Sequence, residues 1–230
     1  MLDSLREQVC EANKTLTAQG LVTLTFGNAS GIDRERGIVA IKPSGLRYEA
    51  LTPRDIVLLD LDGNILEGEL RPSSDAPTHL ILYREFSEIG GIVHAHSTYA
   101  TAFAQAERGL SCLGTTHADH FHGDVPVTRR LTADETANDY EANTGRAIVE
   151  RFDGMDPMGM PAVLVANHGP FVWGPDVASA VHNAVALEAV AESALATLAL
   201  APETPSISQH LLDKHFLRKH GPDAYYGQKK

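Results

Sequence analysis

Cysteine is nearly absent: Cys10 and Cys112 are the only two in 230 residues, far apart and part of no motif. A disulfide-stapled scaffold is thereby excluded, and free thiols in a reducing cytoplasm are expected. Positive charge is in deficit: 19 lysines and arginines against 30 acidic residues give a formal net charge of −11. That balance argues against nucleic acid or an anionic membrane as partner, although backbone N–H groups can still bind a small anion locally. Long apolar runs are missing too. The most aliphatic stretch, from Val177 to Leu200, is interrupted by His182, Asn183, Glu188 and Glu192, so no transmembrane helix is expected. The first residues, Met1-Leu2-Asp3-Ser4-Leu5-Arg6-Glu7, carry no secretory pattern. No repeat, low-complexity tract or linker divides the chain, and a single domain over residues 1–230 is expected to bury its core without staples.

Hydrophobic periodicity supplies the elements. Leu5, Val9, Ala12 and Leu16 recur at helical spacing over residues 2–19, and Gly20 ends the run. Strands are expected over 21–26 and 38–42, and in a hairpin that Asp62-Gly63-Asn64 turns between 55–60 and 65–67. Ser73-Ser74-Asp75-Ala76-Pro77 predicts a helix start, with the helix running to about residue 86. Further helices are expected over 98–106, 132–150, 176–200 and 206–219. Strands early and mid-chain, surrounded by helices, predict an α/β three-layer or α+β domain with a mixed or antiparallel sheet.

Three histidines stand at the polar ends of apolar segments. His94 and His96 close Gly90-Gly91-Ile92-Val93-His94-Ala95-His96, and His168 closes Ala162-Val163-Leu164-Val165-Ala166-Asn167-His168. Residues i and i+2 of a strand share a face, so His94 and His96 can bind one ion together. A third imidazole from a second strand makes a set with an open coordination position, suited to zinc or another divalent first-row ion. Gly27-Asn28, Ser44-Gly45 and Ser73-Ser74 offer small residues and backbone N–H groups to an anion, the last at a helix start. Each by itself is also an ordinary turn or cap. Lys42 supplies a point charge or is a solvated surface lysine. Asp75 is a cap, a base or a metal ligand. Within the histidine-rich stretch 115–123, Asp119 is a carboxylate that a nearby ion can tune for proton transfer. Tyr225 and Tyr226 suggest a docked tail able to deliver a phenol.

The ordered series Leu21-Val22-Thr23-Leu24-Thr25-Phe26-Gly27-Asn28, Lys42-Pro43-Ser44-Gly45, Pro72-Ser73-Ser74-Asp75, His94-Ala95-His96-Ser97, Gly114-Thr115-Thr116-His117-Ala118-Asp119, Asn167-His168-Gly169-Pro170-Phe171 and Tyr225-Tyr226-Gly227-Gln228 resembles the class II aldolase/epimerase family, most closely its sugar-phosphate 4-epimerases. The resemblance spans essentially the whole chain. It implies an α/β/α single domain with a central, mainly antiparallel sheet, assembled as a homotetramer with sites between subunits. It implies one zinc or other divalent first-row ion per subunit, on His94, His96 and His168, with Asp75 at the metal. Related aldolases carry a glutamate base at that place, and the shorter aspartate favours an epimerase. Gly27, Asn28, Ser44, Gly45, Ser73 and Ser74 match the substrate and phosphate loops; Thr115, Glu141 and His215 fall near the substrate. Asp119 matches one acid/base group, and Tyr226, on a tail over about 221–230 that docks on a neighbouring subunit, matches the other. Phe26 stands where a tryptophan is expected.

The activity so implied interconverts L-ribulose 5-phosphate and D-xylulose 5-phosphate. The substrate carbonyl is at C2, so the C4 hydrogen is not acidic, and inversion requires breaking and re-forming the C3–C4 bond. Two rival chemistries use the same residues: an aldolase acting on another phosphorylated ketose or a sugar acid, and a zinc hydrolase with Asp119 as base. A non-catalytic module like the adducin head leaves the histidines unexplained.

Overall fold

In the computed structural model, which describes residues 2–226, helix α1 (Leu2–Ala18) buries Val9, Ala12, Asn13 and Leu16 along one stripe. Seven strands follow: β1 (Asn28–Asp33), β2 (Ile38–Ile41), β3 (Val57–Asp60), β4 (Ile65–Glu67), β5 (Gly91–His94), β6 (Ala162–Leu164) and β7 (Pro170–Gly174). They form one sheet in the order β4-β3-β2-β1-β5-β7-β6, with every pairing antiparallel. The other helices are α2 (Ala76–Glu85), α3 (Thr98–Gln105), α4 (Thr115–Ala118), α5 (Ala133–Ala137), α6 (Tyr140–Arg151), α7 (Val177–Leu200) and α8 (Gln209–His220).

Alternation along β1 sorts the helices into layers. Gly31 faces α1 and α7: a Cβ there would lie 2.4 Å from Val177 and 3.0 Å from Leu5. Ser30 faces the opposite side, where its hydroxyl meets His79 Nδ1 at 2.7 Å and the Tyr83 hydroxyl at 2.8 Å, both on α2. Helix α6 backs α2, and the domain is an α/β/α sandwich. At one edge Trp173, Phe86 and Phe152 pack with ring centroids 5.1–5.5 Å apart.

Helix α7 is long and apolar enough to cross a membrane. One face, including Ala180, Ala184, Leu187 and Ala191, is buried, and the helix lies against β5 and β7. Its polar residues, which interrupt the hydrophobic run in sequence, have local tasks. Asn183 donates to the Trp173 carbonyl, and Glu188 accepts from the Tyr99 and Ala100 amides at the start of α3. Cys10 and Cys112 are both buried and unpaired.

The sheet departs from the periodicity in one place that matters. Residues 21–26 do not form a strand; the chain turns there, with the Phe26 amide donating to Thr23 and Leu24 at φ 55°. The first strand is Asn28–Asp33, a weak β sequence. Close packing selects it: Asn13 of α1 exchanges two hydrogen bonds with the Ala29 backbone, and only a glycine fits at position 31. The segment 132–150 is two helices, because Asp139 takes a left-handed φ of 49° between them.

Candidate metal centre

His94 ends β5 opposite Asn28 of β1 and Phe171 of β7. Its ring stacks on Phe171, with centroids 4.2 Å apart and planes 16° apart. Its Nδ1–H donates to the Pro170 carbonyl at 3.0 Å, which leaves Nε2 as a lone pair. His96 lies two residues past the strand, and its Nε2 faces His94 Nε2 at 3.1 Å. His168 comes not from a strand but from the tight turn between β6 and β7, where Asn167 has φ 60°. One ligand atom from each imidazole falls within 4.8 Å of the others. Burial, reinforced by the neighbouring imidazoles, lowers the His94 and His168 pKa values to about 3. Both rings are therefore neutral at physiological pH, the form that ligates a metal. Three neutral imidazoles, two nitrogens of which face each other at 3.1 Å, are a donor set that fits a divalent first-row cation.

Glycine lets the backbones meet here. Gly27, at φ 76°, sits where a Cβ would lie 2.6 Å from the His94 carbonyl oxygen; at Gly169 it would lie 2.7 Å from the Ala95 carbonyl. Gly27→Ala is expected to destabilise the fold by about 2 kcal/mol and to weaken metal uptake, because strain and collision fall on the ligand strand together. Urea unfolding and metal titration of the variant check this; an alanine tolerated in both would show that the loop yields freely.

Asp75 precedes α2 but makes no capping bond with its side chain. Its Oδ2 instead accepts from Asn28 Nδ2 at 2.7 Å, and Asn28 Nδ2 also reaches Ser73 Oγ at 3.0 Å. The Asp75 charge acts on His96 and His168, so this carboxylate belongs to the triad's surroundings. Asn28 is buried with its Oδ1 unpartnered among the described residues. The loops carrying Ser44 and Ser73 clasp each other: the Ser44 amide donates to Arg71 and the Ser73 amide to Lys42. These two amides are thus not open to an anion, contrary to the expectation from sequence. The amides of Gly45 and Ser74 have no acceptor among the described residues, and Ser44, Gly45 and Ser74 are exposed. Lys42 is not on the surface but buried, its Nζ 3.4 Å from the Pro43 carbonyl and 4.7 Å from the Tyr48 ring centroid. Burial lowers its pKa. Tyr48, which no sequence signal marks, donates to the Phe26 and Gly27 carbonyls and holds their loop.

A second group of expected residues gathers elsewhere. Asp119, at the end of α4, is held by α8: Arg218 donates to both its oxygens at 2.9 and 2.7 Å, His215 Nδ1 lies 3.1 Å away, and Lys219 Nζ 3.9 Å. Burial would raise the Asp119 carboxyl, but Arg218 and His215 outweigh it and hold its pKa below the usual value. Thr115 opens α4, and its carbonyl accepts from the Asp119 amide. The Arg218 guanidinium also lies over the Tyr226 ring, 4.6 Å from its centroid. Tyr225 and Tyr226 fold back on their own α8, their amides donating to the Arg218 carbonyl, and both rings stay exposed. The end of the tail expected to dock on a neighbour, residues 227–230, lies outside the described residues. His120, beside Asp119, lines a cleft of about 800 Å³ together with Gly174, Pro175 and His220. Gly174 pairs with Gly91, and Phe171 pairs with His94. The Asp119 group and the triad therefore sit toward opposite ends of the β5–β7 ladder. Glu141 stays on the triad side, its carbonyl accepting from Thr78 of α2 at 2.6 Å.

Behind the triad lies a polar network that sequence reasoning missed. His79 is fully buried between Ser30 and Phe171, with a ring-centroid distance of 5.9 Å to the latter, and burial lowers its pKa to about 3. Between pH 6.5 and about 3 the unfolded chain binds protons that the folded His79 and His94 refuse, so stability falls as pH drops through that window. The expected slope for the metal-free protein is about 1.4 kcal/mol per pH unit for each imidazole. Urea midpoints measured downward from pH 7 check it; midpoints that hold steady to about pH 4 would mean that both rings are charged in the fold.

Similar solved structures agree with this architecture. An L-fuculose 1-phosphate aldolase is 29% identical, with a TM-score of 0.79 over 92% of this chain and 94% of that one. An L-fuculose-1-phosphate aldolase from Thermus thermophilus is 26% identical, with a TM-score of 0.70 over 88% and 99%. YgbL from Klebsiella pneumoniae, described as a candidate aldolase/epimerase/decarboxylase, is 25% identical, with a TM-score of 0.71 over 93% and 98%. Residues 7–195 match the family model described as Class II Aldolase and Adducin N-terminal domain, and the chain belongs to that family.

Proposed function

We propose that this protein is a zinc-dependent L-ribulose-5-phosphate 4-epimerase of the cytoplasm, working as a homotetramer with sites shared between subunits. The observation that carries it is the gathering of three imidazoles within reach of one ion, with the Asp75 charge acting on His96 and His168, while Arg218 holds Asp119 and Tyr226 together elsewhere in the same chain. A complete site then needs two copies, one giving the triad and the other the proton carriers. A divalent ion on His94, His96 and His168, zinc or another first-row metal, supplies a Lewis acid that stabilises negative charge on substrate oxygens.

The chain's own groups account for the rest. The free amides of Gly45 and Ser74 and the exposed hydroxyls of Ser44 and Ser74 bind the phosphate, with Asn28 between that loop pair and Asp75. Lys42 adds positive charge beneath the same loops. Thr115, Glu141 and His215 contact substrate from the two sides of the shared site. Of the neighbour's Asp119 and Tyr226, one takes the C4 hydroxyl proton as the C3–C4 bond breaks. The other returns a proton after the aldehyde fragment has turned its opposite face. Phosphate binding keeps that fragment, glycolaldehyde phosphate, from escaping while it turns.

A second assignment, an aldolase, is favoured by the names of the similar solved structures. Incubating metal-loaded protein with L-ribulose 5-phosphate separates the two. Conversion to D-xylulose 5-phosphate without free glycolaldehyde phosphate supports the epimerase. Stoichiometric release of the aldehyde supports an aldolase, and an unchanged substrate refutes the epimerase. A hydrolase would leave the phosphate loops without a task.

A further inference from the structure

The three imidazoles are not held alike. His94 is fixed by the Pro170 carbonyl at Nδ1 and by the Phe171 stack. His96 is exposed and has no partner at Nδ1 among the described residues. His168 lies in a turn, and the group at its Nδ1 is the Tyr140 hydroxyl, 3.4 Å away, with ring centroids 6.0 Å apart. Tyr140 is the first residue of α6, set by the left-handed Asp139 before it. Helix α6 packs across α2, and the Thr78–Glu141 bond locks its first turn there. The helix that carries Tyr140 is thereby fixed to α2, independently of the turn that carries His168.

We propose that Tyr140 is a positioning residue for His168: its hydroxyl oxygen accepts from Nδ1–H, which leaves Nε2 unprotonated and aimed at His94 and His96. The inference rests on the triad holding a divalent cation. A ligand histidine whose far nitrogen is engaged has its tautomer and ring orientation fixed, and losing such a partner typically weakens metal binding by about 10–100-fold. The 3.4 Å separation is long for a hydrogen bond, so the low end, about tenfold, is expected here.

Co²⁺ titration in competition with a chelator, followed by d–d absorption, tests it on the purified chain. Tyr140→Phe keeps the ring and removes the oxygen. Its Co²⁺ affinity is expected to fall about tenfold, with a changed d–d spectrum and an unchanged urea midpoint for the metal-free protein. Affinity within about twofold of the parent would overturn the role of Tyr140 while leaving the metal site standing. A parent chain that takes up no Co²⁺ would overturn both. Nitrogen-15 NMR of the unsubstituted, metal-free protein gives a check that needs no variant: His168 protonated at Nδ1 is expected, and protonation at Nε2 refutes the proposal.

Discussion

His96→Asn is expected to strip the metal and abolish activity together. His96 is the informative ligand because it is exposed and beyond the end of β5, so its replacement leaves the core intact. His94, by contrast, is stacked on Phe171 and fully buried, and changing it would disturb the fold as well. Removing one of three imidazoles leaves two donors, too few for a tightly held ion with an open position. A Lewis acid is worth several kcal/mol in a transition state, and each 1.4 kcal/mol is about tenfold in rate, so a loss of at least about a thousandfold is expected. Elemental analysis beside a rate measurement checks both halves. Full activity in a variant that carries no metal would end the case for metal-assisted chemistry.

The second large effect is expected in mixtures of inactive variants. Asp119→Asn and Tyr226→Phe should each slow turnover by about 10²–10⁴-fold, the usual contribution of a positioned acid or base. Because Arg218 binds Asp119 and lies over Tyr226 within one chain, the proposed shared site would receive both groups from one neighbour. Mixing either variant with His96→Asn subunits lets about a quarter of the sites in a head-to-tail ring combine an intact triad with an intact pair. Activity should return to about that level after subunit exchange. Mixing Asp119→Asn with Tyr226→Phe should restore nothing, since every delivered pair carries one defect. Rescue in the second mixture, or none in the first, would refute the shared site.

Much of the centre was legible in the chain because histidines at the ends of apolar segments are rare enough to notice and the matching loops follow in order. Helices with clean periodicity, such as α1, α2 and α7, were predicted within a few residues of where they lie. What the pattern missed were contacts between residues far apart in sequence. Residues 21–26 have strand composition, yet the strand is 28–33, because Asn13 and the two helices over Gly31 require small residues there. Asp75 has the composition of a cap, yet its carboxylate accepts from Asn28, 47 positions away, and makes no capping bond. Tyr48, His79 and Tyr140 carry no local signal, since each acts through a partner that only folding brings near.

The chain's own chemistry determined its family, its layered class and the three imidazoles, because those depend on residue types at short spacing. The tertiary structure alone decided that the Ser44 and Ser73 amides are spent on the Arg71 and Lys42 carbonyls, that Lys42 is buried, and that Asp119 and Tyr226 gather around Arg218 of α8. The physical reason is the same throughout. Burial, hydrogen-bond partners and the distance between groups are fixed by which segments the sheet register and helix packing set side by side, and spacing along the chain does not encode those.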